Sequence, residues 1–143
     1  MEVVTSEAHE SGCSLLVVFD AVRPESLWES FTDAEKLTEW WPDGADTDVR
    51  AGGRYHLWWE AMGWHLRGEY SRIDRDHLTF TWAWDHEQLP DRTVDVRLTT
   101  NASGAEMTLE DSAGSGEEAQ SYLDGWLHFL PQLAERSQLS PPS

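Results

Sequence analysis

Residues 27–41 read LWESFTDAEKLTEWW, and this stretch decides the fold. A proline three positions before it suits the first turn of a helix, where the missing N–H of proline costs nothing. The stretch therefore predicts a first short helix from about Pro24 to Phe31.

The second half of the stretch predicts another short helix. Thr32-x-x-Glu35 has the form of a capping box, in which two side chains satisfy free backbone N–H groups at the start of a helix. The helix must stop at Trp41, because Pro42 pushes the preceding residue away from helical backbone angles. Two short helices that end in the doublet Trp40-Trp41 indicate a cap whose indole rings insert into another layer of the protein.

That other layer is predicted to be an antiparallel sheet. The clearest hairpin joins residues 54–59 to residues 64–74. If Trp59 pairs with Trp64, strand alternation separates an almost wholly apolar inner face from a polar outer face. The same pairing sets Arg54 across from Glu69. The inner face is predicted to consist of Tyr55, Leu57, Trp59, Trp64, Leu66, Gly68 and Tyr70.

A meander of further hairpins and one long helix complete the predicted elements. The remaining strands are predicted at Leu15–Val22, Asp46–Arg50, His77–Trp84, Thr93–Thr100 and Ala105–Asp111. The long helix runs from about Gly116 to Arg136, with Pro131 expected to bend it. Its apolar stripe is Tyr122, Trp126, Phe129, Leu130 and Leu133. Gly125 lies on the apolar side of this helix and indicates either a gap or a close contact with the sheet.

The length of 143 residues predicts one domain, at residues 14–136, with flexible tails at residues 1–13 and 137–143. No apolar run is long enough to span a membrane. The polar, acidic first residues do not resemble a secretory signal. The single cysteine, Cys13, excludes an intramolecular disulfide and fits the reducing cytoplasm.

Charge and tryptophan content narrow the possible partners. A formal net charge of −17 would repel nucleic acid and anionic membrane surfaces, so neither is an expected partner. The chain contains 9 tryptophans, and rigid indole rings are hard to pack without gaps. Gaps between rigid rings are one way to form a pocket for a small hydrophobic ligand.

Several motifs together resemble one family across roughly residues 14–136. The motifs are Leu27-Trp28, Thr32-Asp33, Trp40-Trp41, Gly52-Gly53-Arg54-Tyr55, Gly68-Glu69-Tyr70, Leu78-Thr79-Phe80-Thr81-Trp82, and Gly125-Trp126 with Leu130 and Leu133. With the order of elements, they resemble the START-like (SRPBCC) superfamily, in the group named for its likeness to the activator of the heat-shock-protein-90 ATPase.

The resemblance implies an α+β helix-grip fold. In that fold, a curved sheet of six to seven antiparallel strands wraps around the long C-terminal helix, and two short helices follow strand one. Superfamily members commonly bind apolar molecules between sheet and helix, and some relatives are cyclases or hydrolases. The eukaryotic activator has an additional N-terminal domain, for which this chain is too short.

The inward aromatic residues are the candidate ligand-binding residues. The candidates are Trp41, Tyr55, Leu57, Trp59, Trp64, Tyr70, Trp82, Trp84, Tyr122, Trp126 and Phe129. Two interpretations stay open for them, because large aromatic residues at strand and helix spacing also pack as a solid core. Solid packing against the final helix would leave no space for a ligand.

No catalytic or metal-binding pattern stands out in the sequence. The histidines do not show a metal-ligand spacing, and no nucleophile motif or phosphate-binding loop occurs, so we infer no metal and no cofactor. The leading hypothesis is a cytoplasmic protein that binds a small apolar or aromatic molecule. The alternatives are a cyclase- or hydrolase-like enzyme using the same cavity, and a stress-related or chaperone-related interaction module. An outward Trp58 would serve that module or the interface of a homodimer.

Overall fold

The computed structural model describes residues 1–85, 92–112 and 117–137. Within these residues, one antiparallel sheet of eight strands curves around a long C-terminal helix. The strands are β1 Glu2–His9, β2 Gly12–Asp20, β3 Gly44–Thr47, β4 Arg54–Trp59, β5 Trp64–Ile73, β6 His77–Trp84, β7 Arg92–Thr100 and β8 Gly104–Asp111. The helices are α1 Pro24–Thr32, α2 Ala34–Trp40 and α3 Glu117–Ser137. The predicted α+β helix-grip fold is confirmed.

The sheet order is β1-β2-β8-β7-β6-β5-β4-β3, so α1 and α2 lie in the connection between its two halves. The pairing of Trp59 with Trp64 and of Arg54 with Glu69 is as predicted. Arg54 forms its ion pair with Asp46 on β3, however, with Nη2 2.8 Å from Oδ2. The hairpin register was predictable because only this register keeps the apolar residues on one face.

The N-terminal residues correct one prediction. Residues 1–13 were expected to be a flexible tail, but Glu2–His9 forms β1 and pairs with β2 from Glu2↔Val18 to His9↔Gly12. Of these residues only Val3 and Ala8 are partly buried. The strand is therefore held by backbone pairing at the sheet edge, where polar side chains are common, and its sequence carries little apolar alternation. Residues 138–143 of the predicted C-terminal tail lie outside the described residues.

Two shorter elements also differ from their predicted form. The N-cap of α2 is Asp33, not Thr32, since Oδ1 of Asp33 accepts bonds from the backbone N–H groups of Glu35 and Lys36 at 2.9 and 3.2 Å. The edge strand β3 is Gly44–Thr47 rather than residues 46–50. Residues 48–53 instead form a turn, in which backbone bonds such as Gly53 N–H to Arg50 O replace ladder bonds.

Helix α3 fills the concave side of the sheet. It continues through Pro131, and its predicted start at Gly116 lies outside the described residues. Its most buried side chains are Ala119, Leu123, Trp126, Leu130, Leu133 and Ala134. No helix in the described part of the chain is long and apolar enough to cross a membrane.

Candidate functional site

Trp41 connects the helical cap to the sheet and to α3. It caps the C-terminus of α2, with its backbone N–H bonded to Leu37 O, and leaves the helical conformation as Pro42 requires. Its ring centroid lies 5.2 Å from those of Trp82 and Trp126 and 6.0 Å from that of Trp59. The doublet therefore places an indole where α2, the sheet and α3 meet.

A partly open cavity of about 210 Å³ adjoins this cluster. Its wall is drawn from the α2 cap, β4 to β7 and α3. The lining residues are Trp41, Trp59, Met62, Trp64, Trp82, Trp84, Arg92, Tyr122, Gly125, Trp126 and Phe129. Six of these are tryptophans, so a bound molecule would meet mostly flat, apolar ring surfaces.

Gly125 faces open space in the wall of this cavity. A Cβ atom built on it would meet no heavy atom within 4 Å. Glycine costs about 1 kcal/mol relative to alanine inside a helix. The alternative that Gly125 allows close contact between α3 and the sheet is therefore wrong, and the missing side chain leaves volume in the cavity.

The mouth of the cavity lies at the β4–β5 turn. Met62 in that turn is 54% exposed, and Trp64 at the start of β5 is 38% exposed. Trp64 contacts Trp84 edge to face at 5.7 Å, and Trp84 contacts Trp59 at 5.2 Å. The aromatic wall therefore runs continuously from solvent to the buried cluster.

A buried ion pair lies in the wall behind these rings. Arg92 and Asp111 are 6% and 2% exposed. Arg92 Nε donates to Asp111 Oδ1 at 3.4 Å, and Nη2 donates to Oδ2 at 3.3 Å. The Trp126 indole N–H donates to the same Oδ2 at 3.0 Å. Both carboxylate oxygens of Asp111 are therefore occupied by donors.

The guanidinium of Arg92 is also held between two aromatic rings. Its Cζ lies 3.4 Å from the ring centroid of Tyr122 and 4.3 Å from that of Trp82. Cation–π contacts are strongest when the cation is shielded from water, as it is here. This arrangement fixes Arg92 as part of the cavity wall.

Burial dominates the electrostatics of the pair. It raises the pKa of Asp111, and the Arg92 charge and the hydrogen bonds from Trp126 and Arg92 only partly oppose it. The pKa of the neighbouring Cys13 rises to about 12, first through burial and then through the charge of Asp111. Cys13 is thus a protonated, unreactive thiol at neutral pH.

The predicted site residues fall into two groups. Eight of them line the cavity: Trp41, Trp59, Trp64, Trp82, Trp84, Tyr122, Trp126 and Phe129. Tyr55, Leu57 and Tyr70 are fully buried and lie outside the wall of this cavity, in the packed core. The Tyr70 hydroxyl donates to Phe31 O at 3.3 Å, which ties this core to α1.

Sequence reasoning missed Met62 and Arg92 as wall residues. Arg92 lies two residues before Val94, and Asp111 lies two residues after Leu109. Since Val94 and Leu109 point inward, strand alternation indicates that both charged side chains point inward as well. Charged residues at strand ends are typical of solvent-exposed loop boundaries, so the burial of Arg92 and Asp111 was not predicted. Met62 lies in a turn, for which alternation makes no prediction.

The outer face offers less for chemistry. Trp58 is half-buried and packs on Gly44, where a built Cβ would come within 2.0 Å of its indole ring. His56 Nε2 and His65 Nδ1 lie 2.9 Å apart. Among the described residues, no group of three or more histidine, cysteine or acidic side chains is arranged to hold a metal ion.

Comparison with known proteins identifies a family. Residues 21–138 match the family model described as "Activator of Hsp90 ATPase homolog 1-like protein". No curated protein sequence matches the chain.

Solved structures share the fold at low identity. Protein CV1439 from Chromobacterium violaceum is 22% identical, covers 89% of this chain and 97% of its own, and has a TM-score of 0.74. DynU16, a putative protein in the dynemicin biosynthetic locus, is 24% identical over 85% of this chain and 45% of its own, with a TM-score of 0.74. PFC0360w, an HSP90 activator from Plasmodium falciparum, is 24% identical over 84% of this chain and 92% of its own, with a TM-score of 0.67.

Proposed function

The chain belongs to the Activator of Hsp90 ATPase homolog 1-like family, and from that premise we propose that it binds a small, largely apolar or aromatic molecule in the cavity between the sheet and α3. The observation that carries the proposal is the void itself, lined by six tryptophans and left open at Gly125. Apolar cavities of about 150 Å³ accept a benzene-sized molecule. A cavity of about 210 Å³ with an open mouth suits one or two fused rings.

The expected affinity follows from the apolar area that such a ligand buries. An aromatic group buries about 150–250 Å², which corresponds to about 4–6 kcal/mol at about 25 cal/mol per Å². That free energy gives a dissociation constant from about millimolar to tens of micromolar. A natural ligand that fits the wall closely or forms a hydrogen bond to it would bind more tightly.

Filling the cavity from α3 tests the proposal. 1-Naphthylamine, an uncharged two-ring dye whose emission shifts to shorter wavelength in apolar surroundings, serves as the probe. Gly125→Leu places a side chain in the void and is expected to weaken dye binding at least tenfold. Glu135→Leu, which adds the same side chain at an exposed position of α3, is the matched control and should bind the dye as the wild type does. Equal dye binding by Gly125→Leu and wild type would refute a ligand site at this cavity.

The two other functions have weaker support. A cyclase- or hydrolase-like reaction needs an acid or base at the ligand, and none of the described residues lining the cavity is a histidine or a carboxylate. Asp111 is buried, but it lies behind Arg92 and is occupied by three donors. The interaction module depends on Trp58 of the outer face, whose indole ring is half-buried because it packs on Gly44. The description of DynU16 as a protein of a biosynthetic locus agrees with small-molecule binding. The description of PFC0360w as an HSP90 activator suggests a chaperone-related partner, which a pull-down experiment would test.

We place this binding function in the cytoplasm. The single cysteine is buried as a free thiol, which suits a reducing compartment. The net charge of −17 argues against nucleic acid and anionic membranes as partners. A homodimer would use the exposed Met62 and Trp64 and would cover the cavity mouth, so size-exclusion chromatography with and without dye tests it.

A further inference from the structure

Two hydrogen-bond donors in the cavity wall near Arg92 lack an acceptor. In the part of the chain that the structure describes, Arg92 Nη1 and Trp82 Nε1 are buried donors with no hydrogen-bond partner. Both belong to residues that line the cavity. The Asp111 carboxylate beside Arg92 already receives bonds from Arg92 Nε and Nη2 and from Trp126. The two unpaired donors therefore have no acceptor among the described residues of the wall.

Unpaired buried donors are uncommon in proteins and costly. A buried polar group without a partner lowers the stability of the folded state, and it does so more strongly when it is charged. Here the two donors are neighbours, because the Arg92 guanidinium lies over the Trp82 ring at 4.3 Å. Both nitrogen atoms are covered by neighbouring side chains, and a small shift of Arg92 or Trp82 would let a ligand oxygen on this side of the cavity accept from them.

The charge of the surroundings decides between a neutral and an anionic oxygen. Arg92 already has a carboxylate partner 3.3 Å away in Asp111. A second anion would be repelled by Asp111 and would have to give up its hydration among tryptophan rings. The chain as a whole, with a net charge of −17, also repels approaching anions. A carbonyl oxygen accepts a hydrogen bond from Arg92 without any of these costs.

We infer that the ligand of this cavity is an uncharged aromatic molecule that carries a carbonyl or similar neutral acceptor oxygen, which it places against Arg92. The inference rests on the proposed function, since it specifies the chemistry of a ligand in the same cavity. The flat rings of Trp41, Trp82 and Trp126 receive the aromatic part, and the Arg92 side of the wall receives the oxygen.

A matched pair of probes tests the inference. 1-Tetralone and tetralin have the same two-ring shape and differ by one carbonyl group. The carbonyl prefers water, so an apolar cavity without a donor would bind tetralin more tightly. We expect the wild type to bind 1-tetralone at least as tightly as tetralin, measured by quenching of tryptophan fluorescence and by calorimetry.

The matched variant removes the donor without leaving a buried charge. Arg92→Met combined with Asp111→Asn should weaken 1-tetralone binding about 10- to 100-fold, the range for a hydrogen bond to a charged donor. Tetralin binding should change far less than 1-tetralone binding, because tetralin forms no hydrogen bond that the variant could remove. If both compounds weaken equally, or neither weakens, the inference about Arg92 is wrong while the cavity stands. If neither compound binds the wild type, the proposed binding function itself fails. Tighter binding of 1-naphthoate than of 1-tetralone would overturn the preference for a neutral oxygen.

A measurement on the wild type alone covers the case in which the double variant does not fold. The carbonyl stretching frequency of bound 1-tetralone should fall below its value in an alkane solvent, because a hydrogen bond from a guanidinium weakens the C=O bond. A frequency equal to that in alkane would show that no donor reaches the oxygen and would overturn the inference.

Discussion

Replacing Arg92 alone should destabilise the protein far more than replacing it together with Asp111. Arg92→Met leaves the Asp111 carboxylate, 2% exposed, with the Trp126 N–H as its remaining side-chain donor among the described residues. Two charges 3.3 Å apart attract by about 5 kcal/mol at an effective dielectric constant of about 20. Removing one partner of a buried pair typically costs about 3–5 kcal/mol. We therefore expect Arg92→Met to lose about that much free energy of unfolding at pH 8.

The loss should depend on pH in a direction set by Asp111. Burial raises the pKa of Asp111 in the folded protein above its value in the unfolded chain. The stability that comes from protonating Asp111 is therefore fully present below the unfolded-state pKa and is lost as pH rises through the folded-state pKa. Loss of the Arg92 charge raises that pKa further. Arg92→Met should therefore be closer to wild-type stability at pH 5 than at pH 8.

Urea denaturation of four proteins at the two pH values measures this. The wild type, Arg92→Met, Asp111→Asn and the double variant form a double-mutant cycle. The double variant should regain most of the lost stability, because asparagine is uncharged and its oxygen still accepts from Trp126. Additive effects of the two substitutions, with no difference between pH 5 and pH 8, would refute the argument that the pair is electrostatically coupled.

Three further predictions concern other parts of the molecule. Gly125→Ala should raise the free energy of unfolding by about 1 kcal/mol, and Gly125→Leu should raise it further by burying apolar surface, as urea denaturation can show. The Cys13 thiol, with its pKa raised to about 12, should not react with a disulfide reagent at pH 8 until urea unfolds the protein. Gly68→Ala would bring its Cβ to 1.6 Å from Thr81 O and should lower the free energy of unfolding by more than about 3 kcal/mol. Gly63→Ala would meet no atom within 4 Å, but residue 63 has a φ of 65°. This substitution should lower the free energy of unfolding by about 1–2 kcal/mol.

Strand alternation predicted which face of each strand points inward, and this was enough for the register of β4 and β5. It could not predict how deep along the sheet each inward residue lies. Tyr55 and Tyr70 share a face with Trp59 and Trp64, but α1 covers the end that holds Tyr70, as its bond to Phe31 O shows. The tryptophans near the β4–β5 turn lie at the open end. The division between packed core and cavity wall therefore depends on where the helical cap sits, which is a tertiary property.

The missed elements share a physical cause. β1 is held by backbone hydrogen bonds to β2, and backbone bonds leave no trace in the side-chain pattern. Arg92 and Asp111 are buried because each neutralises the other, so neither charge alone looks like a core residue. Strand alternation places both side chains on the inner face of the sheet. A search of neighbouring strands for opposite charges on the same face would have found the pair.

The packing of the cavity wall explains how an empty space of this size persists. A fully enclosed void of about 210 Å³ would cost about 5 kcal/mol at about 24 cal/mol per Å³, a large share of the stability of a small domain. Collapse is opposed because four of the wall rings are held from behind: Trp41 by the cap, Trp126 by Asp111, and Tyr122 and Trp82 by the Arg92 guanidinium between them. A wall fixed in this way is ordered before a ligand arrives, so binding loses little side-chain entropy.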